Sequence, residues 1–490
     1  MIRRRGSALF TSCDMKNGIL RMGGVRLAAA AAVLAFMTAW PGTATRVSAD
    51  TIESALVRAY QSNPQLNAQR AAVRATDESV PQALSGYRPR VAVTTSGGFQ
   101  HTDMTFSQGL PGQGNVLGRI KGNQTPVAIG ATVSQTLFDG FQAANRTRAA
   151  EGQVSAAREG LRVLEQTVLL AAATIYMDYL RDAAIVEVQR SNVRVLEETL
   201  KQTRDRFNVG EVTRTDVAQS EAQLAAGRTQ LMATESTLIT TRANYRRIVG
   251  NEPGQLAPGS PVDRFLPSTL ARSVDLALTQ NPNVTAAMYG IDVSHLQVKV
   301  AEGVLFPTVT LQANVQKGYD QQLTLPTQFA ASAIAQVSVP IYQGGAEYSL
   351  IRQSKETLAQ QRLNLEQVRN QARASTVQAW GQLEATKVQV KSAQAQVEAS
   401  EIAVNGIREE AKAGQRTTFD VLVAQQALVS ARVALVTAQH DRVVASYAVL
   451  NAVGRLTPQV LKLNTTVYDP SVHYHQVRDS WIGLRTPDGQ

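Results

Sequence analysis

The stretch FNVGEVTRTDV, residues 207–217, decides the fold, because a matching stretch, EAKAGQRTTFDV, occupies residues 410–421. Gly210 pairs with Gly414, Thr213 with Thr417 and Asp216 with Asp420, always 204 positions apart. The same offset relates Phe138 and Gly140 to Tyr342 and Gly344, and Val249-Gly250 to Val453-Gly454, so the chain is an internal duplication. Each stretch lies between two long amphipathic runs. Its glycine suits the left-handed residue that closes one helix, and its threonine suits the N-cap of the next. Each is therefore expected to be the tip of a long helical hairpin.

The flanking runs support this. From about Ala143 to Val209, and again from Glu347 to Ala413, there is no proline over 67 residues, roughly 100 Å of helix. The return legs carry apolar residues at a spacing of seven: Val217, Leu224, Leu231, Leu238 and Tyr245 in the first, Val421, Leu428, Leu435 and, two steps on, Val449 in the second. The second doubles this row with Leu422, Val429, Val436, Val443 and Leu450, and sets Ala424, Ala431, Ala438 and Ala445 between large residues. Such a stripe is a coiled-coil seam, antiparallel because the connecting turn is short.

Before each long helix comes a short helix and then a change of period. Thr51 to Gln61 is amphipathic, Asn63-Pro64 opens a helix that runs to about Ser85, and Asn281-Pro282 opens its copy, which ends near Leu305. After Pro89 and Pro307 the period becomes two. Val91 and Val93 alternate with Ala92 and Thr94, Val127 to Leu137 alternate with small polar residues, and Val309 to Val315 and Ala335 to Ile341 repeat the pattern. These are strand hairpins with one apolar and one polar face, about 90–138 and 308–341, with loops at 107–126 and 318–328. Aromatics at both strand ends, such as Phe138 and Tyr342 at one and Phe99 and Tyr319 at the other, fit a membrane barrel. Four strands are too few to close one, since about eight is the practical minimum.

Composition bounds the remaining possibilities. Aromatic residues make up only 5% of the 490, which suits long helices side by side rather than compact globules. The net charge of +10 is concentrated at the N-terminus. Residues 1–49 hold seven Lys/Arg and one acid, leaving 42 bases and 38 acids, too thin an excess for a nucleic-acid partner. Arg21 and Arg26, an apolar run over Leu27 to Ala39 and Val47-Ser48-Ala49 form an export signal, whichever of Met1, Met15 or Met22 starts translation. Cys13, the sole cysteine, is expected to leave with it. The chain then divides into the signal 1–49, a first repeat 50–250 with its helical hairpin at 143–249, a Pro-rich connector 251–268, a second repeat 269–454 with its helical hairpin at 347–453, and a C-terminal segment 455–490. His101, His295, His440, His473 and His475 are scattered and read as surface residues rather than metal ligands. Nucleotide loops and nucleophile constellations are missing from the sequence, so no cofactor, no metal and no enzyme is expected.

The order of elements, the duplication and both tip motifs resemble the TolC family of outer-membrane channel proteins, over essentially all of 50–455. The resemblance implies a mainly helical homotrimer in which duplicated antiparallel coiled-coil hairpins form a periplasmic tunnel. Four strands per chain would complete a 12-stranded barrel in outer-membrane lipid. It implies an exit duct for drugs or secreted protein, loaded by a periplasmic adaptor and an inner-membrane pump of RND or ABC type. It also places a periplasmic gate on Thr215, Asp216, Arg416 and Asp420; the tips, as the breaks in otherwise continuous helices, are expected to dock the adaptor at Val209, Gly210, Glu211, Ala413, Gly414 and Gln415. Ala411 stands where the family pattern has a tyrosine and Val423 where it has an acid, which implies a weaker closure. The residues alone read Thr213-x-x-Asp216 and Thr417-x-x-Asp420 as helix capping boxes, and the two roles are compatible. A poreless periplasmic coiled-coil scaffold is the alternative from another class.

The order of basic, apolar and small-residue regions predicts a mature chain beginning at Asp50. Intact mass measures this, and a protein from the outer membrane that still carried Arg21 to Ala49 would overturn it.

Overall fold

The structure, a computed structural model, describes residues 50–110, 114–323, 325–487 and 489; the expected export signal and Cys13 lie outside the described residues. Two long helices organise the rest: α4 (Gln142–Asn208) and α8 (Ala346–Lys412), each of 67 residues. Their return partners are α5 (Arg214–Val249) and α9 (Thr418–Val453), of 36 residues each. In the first hairpin Val193, Leu196 and Leu200 of α4 pack on Leu224 of α5, and in the second Val397 and Val404 of α8 pack on Leu428 and Ala431 of α9. The helix α9 is apolar enough by composition to cross a membrane, yet its two rows are used within the fold. One row meets α8, and the other brings Val443, Tyr447 and Leu450 against α4.

A return leg of 36 residues covers only about 54 Å of a 100 Å partner. Shorter helices cover the remainder. In the first repeat these are α1 (Ile52–Ser62), α2 (Pro64–Asp77) and α3 (Ser79–Leu84), and in the second α6 (Leu270–Gln280) and α7 (Pro282–Gly303). Asn63 and Asn281 splice them to the return legs. Each caps its own helix through Oδ1, and its Nδ2 donates to a carbonyl in the last turn of α5 or α9, Ile248 at 3.3 Å and Ala452 at 3.0 Å. Gly454 ends α9 at φ +84°, and a Cβ there would lie 2.6 Å from Asn281 Cα, so only glycine fits this splice. The single helix expected from Asn63 to Ser85 is broken at Glu78, whereas its copy α7 is continuous. Pro81 is the cause: it has no N–H for the Asp77 carbonyl, and Lys299 holds its place in the copy.

The main core lies where these elements converge. Leu56, Tyr60, Leu169, Tyr176, Tyr245, Tyr447 and Leu450 are buried there, joined by Val262 from the connector and Leu456 and Leu461 from the C-terminal segment. The Tyr176 hydroxyl lies 2.8 and 2.6 Å from the carbonyls of Asp50 and Ala257, tying the start of the described chain to the connector.

The strands β1 (Arg90–Gly97), β4 (Val127–Phe138), β5 (Thr308–Gln322) and β6 (Leu325–Ser338) form one antiparallel sheet in the order β1-β4-β5-β6. The loop expected at 107–126 is not a loop over most of its length. β2 (Gln100–Leu110) and β3 (Gly114–Gln124) pair as a separate ribbon, in which Arg119 Nε and Nη2 donate to Asp103 at 2.8 and 2.6 Å. Likewise β5 and β6 extend through most of 318–328. Cross-strand pairing stabilises these glycine-rich polar segments although the apolar alternation that marks a half-buried strand is lacking. Ribbon and sheet part at Gly98-Phe99 and Thr125-Pro126, where Pro126 cannot donate to a ladder and the Asp320 carboxylate accepts from Thr125 N–H and hydroxyl instead.

The register sorts the sheet into two faces. Val91, Val133, Ala313 and Ala333 are consecutive neighbours across it, and so are Ala92, Thr132, Asn314 and Ser332 on the opposite face. Val93, Leu311 and Val337 fall on the first face, Thr94, Gln312 and Gln336 on the second. A lysine at Val133 or Val337 is expected to cost about 2–4 kcal/mol near a bilayer midplane, and far less at Thr132 or Gln336. Urea unfolding of the four variants in one lipid measures this; equal losses on both faces would overturn the expectation that Val93, Val133, Leu311 and Val337 face lipid.

Candidate functional site

The two tips are built alike. At the first, α4 ends at Asn208, Gly210 adopts φ +82°, and Glu211 N–H closes the turn on the Arg206 carbonyl at 2.9 Å. At the second, Gly414 adopts φ +76° and Gln415 N–H reaches the Glu410 carbonyl at 2.9 Å. Positive φ is why glycine recurs at this step. Thr213 and Thr417 then cap α5 and α9. Asp216 Oδ2 accepts from Thr213 N–H at 2.9 Å and hydroxyl at 2.7 Å, and Asp420 Oδ2 accepts from Thr417 N–H and hydroxyl, both at 2.9 Å. Both are reciprocal capping boxes.

These bonds set the charge of the tips. The Thr213 hydroxyl and N–H hold the Asp216 carboxyl below the usual carboxylate range, and the Thr417 N–H and hydroxyl do the same for Asp420. A group with a lowered folded pKa adds stability above its unfolded value of about 3.9 and loses it as pH falls through the folded value, so both caps are fully ionised at neutral pH.

Arg416 is exposed, and its partner within the chain is Glu410, whose Oε2 lies 3.0 Å from Nε. Glu410 also holds the guanidinium above its ordinary pKa. The equivalent pair at the first tip is Arg206 with Glu211, also at 3.0 Å. The two copies therefore brace the same turn with the charges exchanged: arginine on the helix and acid on the loop in one, acid on the helix and arginine on the loop in the other. The sequence carries the signal for this, since Arg206 and Glu410 are equivalent positions. Thr215 is exposed on the first turn of α5. Ala411 is buried, Val423 is half exposed, and Val209, Phe207 and Phe419 present apolar surface around the turns.

Between the tips runs a groove of about 680 Å³, lined by Arg194, Arg206 and Glu211 from the first hairpin and Arg408, Lys412 and Val421 from the second. Leu422 of α9 reaches across it into the core of the first hairpin, beside Leu196, Leu200 and Leu224. Leu422 is thus an apolar link between the hairpins near their ends.

Two histidines expected on the surface are buried. His440 lies between Asp178, 2.9 Å from Nε2, and Asp441, 2.9 Å from Nδ1; burial opposes its charge, but the two carboxylates outweigh that and raise its pKa. His473 Nδ1 lies 3.0 Å from Asp77, which is fully buried. Both partners of His440 and His473 that matter for burial come from distant elements, which no local motif announces. Among the described residues no group of three potential metal ligands is present.

The sequence matches the outer membrane efflux protein family over residues 55–251 and 273–455, so the two matched segments fall on the two repeats. The outer membrane efflux protein BepC of Brucella suis is 39% identical over 466 residues, covering 94% of this chain and 97% of that protein. The outer membrane protein TolC of Escherichia coli is 26% identical over 451 residues, covering 85% of each chain. In fold, the chain is similar to the solved structure of CusC, with a TM-score of 0.71 at 16% identity over 83% of this chain and 92% of that one. It is also similar to the CmeC outer membrane channel of Campylobacter jejuni, with a TM-score of 0.71 at 15% identity over 87% and 89%.

Proposed function

The chain belongs to the outer membrane efflux protein family, and we propose that three copies of its four-stranded sheet close one 12-stranded barrel above a helical tunnel. It is an exit duct of the outer membrane, carrying small toxic compounds or secreted protein out of the cell. The observation that carries this is the two-faced sheet: valines and alanines on one side, Thr132, Asn314 and Ser332 on the other, with β1 and β6 left as open edges. Open edges in lipid leave backbone groups unpaired, so strands of further copies must complete them. A poreless scaffold has no use for such a sheet.

Helix packing supports the same assembly. In the second repeat α7 sits between two long helices, α4 and α8, while α2 of the first packs on α4. The vacant side of α2 is the place for α8 of the next copy, which makes a closed ring of alternating long helices. Residues 50–250 and 269–454 act as its two quasi-equivalent halves, with the export signal removed.

The tips form the mouth. In the resting trimer Arg416 exchanges Glu410 for Asp216 or Thr215 of a facing hairpin, and Asp216 and Asp420 give the mouth a preference for cations. Exposed ion pairs are weak and compete with the one already formed, so closure rests on several acting together. With Ala411 and Val423 contributing no polar contact, the wild type should leak. An inner-membrane pump of RND or ABC type supplies the energy through a periplasmic adaptor, which docks on Val209, Gly210, Glu211, Ala413, Gly414 and Gln415.

Planar-bilayer recording tests the mouth. Arg416→Ser is expected to raise open-channel occupancy by roughly a few-fold, and Asp420→Ala to reduce cation preference. Unchanged conductance and selectivity in both variants would leave these residues with the capping role alone. Photo-crosslinkers at Glu211 and Gln415 should capture the adaptor in cells, and capture only from mid-helix positions such as Ala171 and Ala379 would overturn tip docking.

A further inference from the structure

Where the strands meet the helices lies a cavity of about 420 Å³ whose walls include Arg88, Arg90 and Arg146. Its strand wall is the polar face of the sheet, through Ser134, Thr310 and Gln312. Over the paired residues of β1, β4, β5 and β6 that face carries one charged side chain, Arg90; the other charge on these residues, Lys317, is on the apolar face beside Ile129 and Phe329.

Three arginines face a single acid in the lining, so the positive charge is only partly offset there. Neither Arg90 nor Arg146 forms an ion pair among the described residues, and Arg146 Nη2 donates to the neutral Gln142 Oε1 at 2.7 Å. The acid in the lining, Asp139, has Oδ2 engaged by Ala143 N–H at 2.6 Å. Arg88 is fixed behind them, donating from Nη1 to the Ser480 carbonyl at 2.6 Å and stacking 4.7 Å from the Trp481 ring centre. Strand closure by a further copy brings no counter-charge, because β6 contains no charged residue.

The duplication supplies an internal control. At the equivalent junction of the second repeat the three positions are Phe306, Thr308 and Leu350, so this joint of strand and helix folds without arginine. A folding requirement therefore does not explain them.

We propose that Arg90 and Arg146, backed by Arg88, form an anion-binding belt inside the duct at the base of the barrel, taking solutes that carry carboxylate, sulfate or phosphate groups. The inference rests on the exit-duct function, which puts the polar face of the sheet in the lumen. Guanidinium forks suit these groups, and low-dielectric walls concentrate the field of a charged ring within a channel. The duct then has opposite preferences at its two ends, acidic at the tips and basic at the barrel.

The test uses purified full-length protein in phosphatidylcholine bilayers, comparing wild type with Arg90→Gln/Arg146→Gln. Reversal potential in a KCl gradient and block by inorganic tripolyphosphate added at the barrel side are read. The double variant should shift permeability towards K⁺ and need roughly ten-fold more tripolyphosphate for half-block, the scale of one lost charge-assisted hydrogen bond. Arg90→Lys/Arg146→Lys should keep the wild-type permeability ratio, which separates charge from misfolding. A glutamine variant that conducts with wild-type selectivity and block overturns the belt. A difference that appears only in bilayers containing phosphatidylglycerol also overturns it, assigning the arginines to lipid headgroups. A chain that forms no channel, even as Arg416→Ser, overturns the exit-duct function instead.

Discussion

A helix of about 100 Å has to be covered along its whole length, and its return leg reaches only about half of it. The structure depends on how that mismatch is resolved. Two helix ends meet in the interior at each splice, and buried helix ends expose unpaired N–H and carbonyl groups that cost free energy unless they find partners. Asn63 and Asn281 satisfy both sides at once, with the side-chain oxygen on the N–H groups of one helix and the amide on a carbonyl of the other. Gln166 Nε2 completes the second splice by donating to the Gly454 carbonyl at 2.7 Å. Only with the ends satisfied can the surrounding tyrosines and leucines pack into a continuous core at this level. The connector and the C-terminal segment are drawn to the same place because their apolar residues, Val262, Leu456 and Leu461, find a surface to bury there.

Duplication fixes the framework and leaves the details free to diverge. Both copies keep the capping box, the left-handed glycine and the asparagine splice, each of which solves a backbone problem that either copy would meet. Among other places, they differ at the tips and at the strand–helix junction. The brace of the turn is Arg206 with Glu211 in one copy and Glu410 with Arg416 in the other, and the three junction positions that are arginine in one are uncharged Phe306, Thr308 and Leu350 in the other. A difference between positions that do the same structural work points to solute or partner, not to folding.

Most of the framework was legible in the sequence because it rests on local rules. Seven-residue spacing, the change to a period of two after Pro89 and Pro307, and the Gly and Thr of each tip act within a few residues of one another. What was not legible depends on distant partners or on weak periodicity. The ribbon of β2 and β3 lacks an apolar stripe and is held by pairing and by Asp103 with Arg119, so its glycines read as loop. His440 and His473 are buried only because Asp178 and Asp77 approach from other helices. At the tips the motif announced the cap but not the competing role of Glu410, which becomes visible only when the two copies are set side by side.

The same contrast between local and distant contacts decides how the mouth can change shape. Asp216 and Asp420 are fastened to the backbone by their own caps, so withdrawing either costs about 1 kcal/mol, as for a lost cap. Within each hairpin the seam is apolar, Leu196 on Leu224 and Val404 on Leu428, and separating it would expose that surface to water. Between hairpins the facing residues are mixed, with Gln189, Asn192, Gln223, Gln426 and Ser430 lining a shared groove beside Val429 and Val433, and Gln223 meeting Gln426 at 3.4 Å. Polar groups there can exchange one another for water at little net cost, as hydrogen bonds of this kind contribute only about 1 kcal/mol each. Movement should therefore take place between hairpins that stay intact, with Leu422, Val429 and Val433 as apolar contacts that have to slide or release.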